Sequence, residues 1–229
     1  MERKIVITKD GSHSVSVPEM NVTYHSIHGA IQESMHVFIQ AGFKQLISQF
    51  ANKPINILEM GFGTGLNVLL TLIETEKIKI DTRYEALELY PLNEEEIKRL
   101  NYCEQLNRPD LQKVFEQLHY CEWEKEISIR KSFTLLKRKT DLSASQPLEL
   151  FKPLKPFELI YFDAFAPNTQ PELWTSAIFE KLYNMMTDEG ILVTYCSKGE
   201  VRRNMIAAGF TVEKIPGPPG KREMLRAKK

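Results

Sequence analysis

The chain has 229 residues, 42% hydrophobic and 26% charged, so it is long enough to bury the core of one large domain. Thirty basic and thirty acidic residues give a formal net charge of zero, which excludes the strongly basic composition of a dedicated nucleic-acid-binding domain. Three scattered cysteines exclude a disulfide scaffold and a zinc finger. Since the sequence shows neither a long apolar run nor a secretory signal, we expect a cytoplasmic protein without a membrane partner.

Residues 1–50 are predicted to form an N-terminal extension of short strands and one helix. Lys4–Thr8 and Ser14–Val17 are strand-like and flank a turn signal, Asp10-Gly11. Apolar residues from position 31 to position 39 have helical spacing, and Gly42 is the predicted end of that helix.

Residues 51–229 alternate between strand-like and helix-like segments. The predicted strands are Ile55–Met60, Arg83–Leu89, Phe133–Lys137, Glu158–Asp163 and Ile191–Cys196. The predicted helices are Leu66–Thr75, Asn93–Leu100, Ser176–Met186 and Arg202–Ala208. A hairpin of Thr211–Ile215 and Arg222–Ala227 follows, and residues 101–131, without a clear strand, are predicted to be a helical insertion. The alternation predicts an α/β fold, a doubly wound and mostly parallel sheet with an antiparallel last strand.

A glycine turn joins the first of these strands to its helix, in the run Glu59-Met60-Gly61-Phe62-Gly63-Thr64-Gly65. Glycines there permit positive φ and let a ligand approach the backbone. A dinucleotide site requires a third glycine one position later, where Leu66 stands, and the lysine of a P-loop is absent. The acidic Glu59 before the turn instead favours a site for S-adenosyl-L-methionine (SAM), whose amino-acid end carries an ammonium group.

Two more acidic residues are expected at the same edge of the sheet. A carboxylate at the end of the second strand would accept hydrogen bonds from both ribose hydroxyls of the cofactor. Glu88 stands at that point, but strand alternation does not decide between it and Glu85. Asp141, after the third strand, is predicted to contact the adenine amino group. Ligands bind at this edge in open α/β sheets, and the three acids together favour the SAM hypothesis.

The fourth strand ends in Phe162-Asp163-Ala164-Phe165-Ala166-Pro167. Asp163, Phe165 and Pro167 parallel the Asp/Asn-Pro-Pro-aromatic loop with which amino methyltransferases hold an amine. Methyl transfer is an in-line displacement, so orienting the nitrogen lone pair is the main task of such a loop. We therefore predict that Asp163 positions an amine and accepts its proton.

Other polar residues have less specific signals. Tyr24 and His28, which precede the first helix, are predicted to line the pocket. The five histidines lack metal-ligand spacing, and Cys196 is predicted to be an inert buried thiol.

The chain resembles the methyltransferase half of the MnmC family, bifunctional enzymes that modify the wobble uridine of certain tRNAs. Seven segments carry this resemblance: Gly-Phe-Gly-Thr-Gly-Leu-Asn (61–67), Glu-Leu-Tyr-Pro-Leu (88–92), Phe-Asp-Ala-Phe-Ala-Pro (162–167), Pro-Glu-Leu-Trp-Thr (171–175), Val-Arg-Arg (201–203), Ala-Gly-Phe (208–210) and Gly-Lys-Arg-Glu-Met-Leu (220–225). Three N-terminal matches add to them: Asp-Gly-Ser (10–12), Tyr-His-Ser (24–26) and Glu33 with His-Val-Phe (36–38). The resemblance implies a Rossmann-like methyltransferase fold.

The resemblance also implies a reaction, the SAM-dependent conversion of 5-aminomethyl-2-thiouridine in tRNA to 5-methylaminomethyl-2-thiouridine, with S-adenosyl-L-homocysteine as product. The cofactor pocket it implies consists of Glu59, Gly61, Gly63, Gly65, Asn67, Glu88 for ribose and Asp141 for adenine. Asp163, Phe165 and Pro167 would face the amine. The basic residues implied as tRNA phosphate contacts are Arg202, Arg203, Lys221 and Arg222.

The family's bifunctional members continue into a flavin-dependent oxidase domain, whereas this sequence stops at Lys229. We therefore expect no oxidoreductase activity, no FAD and no metal, and an upstream enzyme that supplies the aminomethyl group. Two alternatives are a small-molecule amine methyltransferase, which the neutral charge favours, and a non-catalytic SAM-binding module.

Overall fold

A computed structural model of the chain describes residues 2–48, 53–140 and 155–229. The strands are β1 (Lys4–Ile7), β2 (His13–Val17), β3 (Val22–Thr23), β4 (Ile55–Met60), β5 (Thr82–Leu87), β6 (Glu126–Arg130), β7 (Phe133–Arg138), β8 (Phe157–Phe162), β9 (Met186–Thr194), β10 (Thr211–Pro216) and β11 (Glu223–Lys228). The helices are α1 (Ala30–Ser34, π-helical Met35–Lys44 and Gln45–Ile47), α2 (Leu66–Ile78), α3 (Glu94–Lys98), α4 (Tyr102–Gln105), α5 (Gln112–Tyr120), α6 (Ser176–Asn184) and α7 (Gly199–Ala207). Short 3-10 turns lie at Pro18–Met20, Pro109–Leu111 and Pro171–Trp174.

The main sheet has eight strands in the order β10-β11-β9-β8-β4-β5-β7-β6. The five strands from β9 to β7 are parallel, while β6, β10 and β11 pair antiparallel with their neighbours. Every residue of β4 is buried, as expected for a parallel strand covered on both faces. The sheet confirms the predicted doubly wound, mostly parallel fold with an antiparallel last strand.

Helices cover both faces of this sheet, and the hydrophobic core therefore consists of two clusters, one on each face. On one face, α1 and α2 pack through residues such as Phe38, Val68 and Leu69. On the other face, α6 and α7 pack through residues such as Leu182 and Val201. The two layers leave the carboxyl ends of the parallel strands open at one edge, which is where open α/β sheets bind ligands.

Helix α1 does not end at Gly42, contrary to the sequence prediction. It continues to Ile47, and Gly42 lies where the helix crosses the sheet. A Cβ atom added at Gly42 would lie 3.0 Å from Val193 Cγ2 and 3.2 Å from the Tyr161 ring. The glycine therefore permits a close approach of helix and sheet instead of terminating the helix.

The segment 101–131 contains an edge strand that the sequence analysis did not assign. Helices α4 and α5 occupy its first part, and Glu126–Arg130 then forms β6, antiparallel to β7. Only Ile129 of this short strand is fully buried, so its hydrophobic pattern is weak. An edge strand with one open side does not need a continuous apolar run.

The N-terminal strands β1, β2 and β3 form a separate antiparallel sheet beside the open edge. The Arg3 guanidinium donates to the Pro91 carbonyl at 3.1 Å and to Glu96 at 3.2 Å, while the His13 amide donates to Asn101 Oδ1 at 2.8 Å. These bonds attach the small sheet to helix α3 and to the loops on either side of it. Among the described helices, none has the length and apolar character needed to cross a bilayer.

Candidate functional site

The carboxyl ends of three neighbouring strands, β4, β5 and β8, bring the predicted site residues together. The Gly61 amide donates to the Leu87 carbonyl at 3.0 Å, and the Asp163 amide donates to the Met60 carbonyl at 3.0 Å. Glu88 follows Leu87 directly. The glycine turn, Glu88 and Asp163 consequently lie at one edge of the sheet.

A cavity of about 400 Å³ opens at this edge. Its lining includes eight residues singled out from the sequence: Tyr24, Gly61, Gly63, Asn67, Glu88, Asp163, Phe165 and Lys221. Thr140, the last described residue before Asp141, also lines it, whereas Asp141 itself is outside the described residues. A cavity of this size is within the range of small-molecule and cofactor sites.

The glycine turn has the backbone conformation predicted for a ligand-binding loop. Gly61, Gly63 and Gly65 have φ values of 92°, 51° and 72°. A Cβ atom at Gly61 would lie 2.8 Å from the Asp163 carbonyl oxygen, so only glycine lets the turn approach the Asp163 loop this closely. Helix α2 begins at the next residue, Leu66, and its first turn is therefore directed at the cavity edge.

Asn67 connects two acidic side chains at the floor of the cavity. Its Nδ2 donates to Glu59 Oε1 and to Asp163 Oδ2, both at 2.9 Å. Glu59 is fully buried behind the lining. Within the described part of the chain, Glu59 Oε2 and Asn67 Oδ1 are buried without a hydrogen-bond partner. Unsatisfied buried polar atoms beside a cavity are expected where a polar ligand completes the bonding.

Burial and neighbouring charges shift the pKa values of both carboxyl groups in this cluster. Burial, together with the negative charge of Asp163, raises the pKa of Glu59 well above its usual range. Burial and the charge of Glu33 raise the pKa of Asp163, while Asn67 and Lys221 oppose that shift. A cationic ligand would reverse the balance, because it stabilises the ionised carboxylates.

Glu88 and Glu85 have different surroundings, which the sequence could not distinguish. Glu88 lines the cavity, and its carboxylate accepts hydrogen bonds from the amides of Gly63 at 2.9 Å and Tyr90 at 2.8 Å. Glu85 is fully buried and accepts from Arg83 at 2.9 Å and Arg138 at 2.6 Å. Of the two, Glu88 is the residue at the cavity.

The loop after β8 is held rigidly by side chains around it. Trp174 Nε1 donates to the Phe165 carbonyl at 2.8 Å, and the Phe165 amide donates to Gln170 Oε1 at 3.0 Å. The Tyr195 hydroxyl donates to the Ala164 carbonyl at 2.9 Å. These bonds fix the backbone on which Asp163 is presented.

Three further residues near Asp163 were not predicted in their present roles. Glu33 of α1 is buried, accepting from the Ser26 amide at 2.7 Å and from Lys221 Nζ at 2.8 Å. Lys221, expected at a tRNA-facing surface, lies at the cavity wall with its ammonium 4.0 Å from the centroid of the Tyr195 ring. Tyr195, whose hydroxyl donates to the Ala164 carbonyl, is the third of these residues. Helix α1 contains other polar residues as well as Glu33, so the sequence gave no specific signal for any of the three.

The remaining predicted residues lie away from the cavity lining. The ring of His28 packs against Gly220, and Gly65 packs against His119. Among the described residues, Pro167, Arg202, Arg203 and Arg222 do not line the cavity either. Their predicted contacts with substrate or tRNA stay predictions. In the described ranges, no cluster of His, Cys, Asp and Glu side chains is placed to hold a metal ion.

Comparisons with known proteins identify the family to which the chain belongs. A family model described as S-adenosyl-L-methionine-dependent methyltransferase matches residues 111–229. The tRNA 5-methylaminomethyl-2-thiouridine biosynthesis bifunctional protein MnmC of Leptospira borgpetersenii serovar Hardjo-bovis is 31% identical over 216 residues, which cover 90% of this chain. The protein of the same name from Pseudomonas syringae pv. tomato is 29% identical over 216 residues, which cover 89% of this chain.

The chain spans about a third of the length of these curated relatives, 32% and 31% respectively. Among solved structures, MnmC2 from Aquifex aeolicus superposes with a TM-score of 0.81 at 24% identity, covering 99% of this chain and 70% of that one. The superposition shows that the two chains share their fold.

Proposed function

The chain belongs to the S-adenosyl-L-methionine-dependent methyltransferases, and from that premise we propose that it methylates the primary amine of 5-aminomethyl-2-thiouridine at the wobble position of tRNA. The observation that carries this substrate is the similarity, along about nine-tenths of the chain, to relatives named for biosynthesis of the methylated nucleoside. The acidic end of the cavity supports an amine as acceptor, because carboxylates attract and orient N–H donors.

Residues at the glycine turn would hold the cofactor. When bound, SAM supplies a methyl group on a positively charged sulfur. Asn67 Oδ1, which lines the cavity and has no hydrogen-bond partner in the described structure, would accept from its ammonium group, and Glu59, buried behind Asn67, would add negative charge or a water-mediated bond. Glu88 would accept from the ribose hydroxyls while the amides of Gly63 and Tyr90 keep its carboxylate oriented. Gly61, Gly63 and Asn67 line this proposed pocket, while Glu59 and Gly65 would shape it from behind, with Asp141 as a further candidate.

Asp163 would orient the acceptor nitrogen toward the methyl group. Its carboxylate accepts from Asn67 with one oxygen and lines the cavity, so it can also accept an N–H of the amine. Phe165 lies against Tyr24 with ring centroids 5.2 Å apart, and this aromatic pair would exclude water from the acceptor. Exclusion of water and fixed orientation are the main contributions a protein can make to an in-line methyl transfer.

The proposed substrate also implies a compartment, a preceding reaction and contacts with tRNA outside the cavity. A tRNA substrate places the reaction in the cytoplasm. Since the acceptor is an amine already attached to uridine, another enzyme or pathway must install the aminomethyl group first. Arg202, Arg203 and Arg222 are candidates for phosphate contacts outside the cavity, where the charge of a tRNA would be neutralised.

A substrate panel tests the proposal. Methyl transfer from labelled SAM is measured with tRNA carrying 5-aminomethyl-2-thiouridine, with the same tRNA lacking the modification, with the free nucleoside and with simple primary alkylamines. We expect efficient transfer only to the modified tRNA. Faster transfer to free amines would support the small-molecule alternative, and SAM binding without transfer to any acceptor would support a binding module.

A further inference from the structure

Lys221 occupies an unusual position for a surface-loop lysine. It precedes β11, and its ammonium lies 2.8 Å from Glu33 Oε1 and over the ring of Tyr195. Its side chain is 34% exposed, compared with 8% for Glu33. Among the described residues that line the cavity, it is the only lysine or arginine.

Two carboxylates share this end of the cavity. Glu33 and Asp163 both line it, and they are close enough for the charge of Glu33 to raise the pKa of Asp163. Lys221 acts on Asp163 in the opposite direction. An amine placed between two uncompensated carboxylates would be held as an ammonium ion, because nearby negative charges stabilise the protonated form. An ammonium nitrogen has no lone pair and cannot attack a methyl group.

We propose that Lys221 neutralises Glu33, so that at this end of the cavity the acceptor amine faces one uncompensated carboxylate, that of Asp163, and reacts as the neutral base. Lys221 is thereby a positioning residue that controls the protonation of the substrate through Glu33. This inference rests on the proposed function, since it needs an amine as the acceptor.

The reaction balances with these residues. The nitrogen lone pair forms a bond to the methyl carbon while the carbon–sulfur bond breaks, and its electron pair stays on sulfur, leaving a neutral thioether. The nitrogen becomes a secondary ammonium and then loses one proton, which Asp163 accepts and passes to solvent. Lys221 remains charged throughout and exchanges no proton.

Other titratable groups around Lys221 bear on the pH dependence. Besides Glu33, Asp163 and Tyr195, they are Tyr24, His25, His28, Glu59, Glu88 and Cys196. Burial lowers the pKa of His25 to about 4 and raises the pKa of the Tyr24 hydroxyl to about 12. Burial also raises the pKa values of Tyr195 and Cys196. His25, Tyr24 and Tyr195 therefore each keep one protonation state between about pH 6 and pH 9.

The test is the pH profile of kcat with saturating modified tRNA, which reports groups in the enzyme–substrate complex. For Lys221→Met we expect the midpoint of the rising limb to move about one pH unit or more toward alkaline pH, with the rate recovering at high pH. The double variant Glu33→Gln/Lys221→Met should return the midpoint toward the wild-type value, because the carboxylate and its counter-ion are then both absent. Lys221→Arg, which keeps the charge, should retain the wild-type profile.

Lys214→Met is the matched control. Lys214 lies in the same terminal hairpin and pairs with Glu223 at 2.8 Å, away from the cavity lining, so its profile should equal that of the wild type. SAM affinity and unfolding temperature, measured for every variant, identify any loss of folding. If kcat of Lys221→Met is reduced by the same factor at every pH, or if the double variant does not return the midpoint toward the wild-type value, the inference is overturned while the proposed function still stands. A wild-type enzyme inactive on modified tRNA overturns the proposed function and the inference with it.

Discussion

Asp163 carries the acceptor chemistry in the proposed reaction. Asn67 donates to it at 2.9 Å, and the bonds around Phe165 fix its backbone. Asp163→Asn keeps the shape and the Asn67 contact but removes the negative charge that orients the amine and accepts the proton of the methylated product. We expect methyl transfer to fall by about 10²–10⁴-fold, the usual contribution of a general base, while calorimetry finds SAM affinity changed by less than about threefold, since Asp163 is assigned to the acceptor.

The control for Asp163→Asn is Asp188→Asn. Asp188 is exposed on β9, and its replacement should leave methyl transfer unchanged. Equal losses of SAM affinity and of turnover in Asp163→Asn would place this residue in the cofactor site instead of the acceptor site.

Glu88 and Glu85 permit a matched comparison of ligand binding with stability. Glu88→Gln should weaken SAM binding by about tenfold or more, because a charge-assisted hydrogen bond to ribose becomes a neutral one. Glu85→Gln removes the fully buried carboxylate that the half-buried Arg83 and Arg138 share, although each arginine keeps a second acidic partner, Glu126 and Glu124 respectively. It should destabilise the fold by about 1–3 kcal/mol, the cost of weakening buried hydrogen bonds to a charged group, measured by denaturant unfolding. The reverse pattern, with Glu85→Gln weakening SAM binding in a stably folded protein, would contradict the assignment of Glu88 to the cavity.

His119 makes the fold sensitive to acid. Burial, assisted by the charge of Lys137, lowers the pKa of His119 from 6.5 to about 3. Because the unfolded chain binds this proton more readily, the stability contributed by neutral His119 is complete above pH 6.5 and is lost as pH falls toward 3. His119→Gln should lower the unfolding temperature at pH 7.5, and its difference from wild type should narrow by pH 5. A difference that does not vary with pH would contradict the buried neutral histidine.

At the scale of elements, helix α1 depends on Gly42 for its contact with the sheet. Replacing glycine by alanine inside a helix normally stabilises it by about 0.5–1 kcal/mol. Here the added methyl group would lie 3.0 Å from Val193 Cγ2, and such overpacking costs about 1–3 kcal/mol. We therefore expect Gly42→Ala to lower the free energy of unfolding. Gly199→Ala in α7, where the new methyl would meet only the Arg203 guanidinium at 3.4 Å, is the control and should be neutral or stabilising.

Elements whose hydrophobic pattern is strong were predictable from the sequence. Fully buried β4 and the helix α3, whose Asn93 and Glu96 form a reciprocal cap, follow from local rules. The edge strand β6 and the continuation of α1 past Gly42 do not, because each depends on a neighbour distant in sequence. The spacing of hydrophobic residues indicates the structure of a segment but does not indicate which distant segment packs against it.

At the scale of the whole molecule, residues from both ends of the chain line the cavity. Strand-end residues Glu88 and Asp163 were predictable because parallel strands end at one edge. The ion pair of Glu33 and Lys221 was not, since 188 positions separate the two residues in the sequence. Tyr24 reaches Gly63 and Phe165 from the small N-terminal sheet in the same way. Residues that close a site over a sheet edge belong to loops whose positions only the folded chain determines.

The most direct measurement is mass spectrometry of nucleosides from modified tRNA after incubation with SAM and the purified protein. The account predicts conversion of 5-aminomethyl-2-thiouridine to 5-methylaminomethyl-2-thiouridine by the wild-type chain and by Asp188→Asn, and little or none by Asp163→Asn. A wild-type protein that binds SAM but leaves the aminomethyl nucleoside unchanged would contradict the account, as would undiminished conversion by Asp163→Asn.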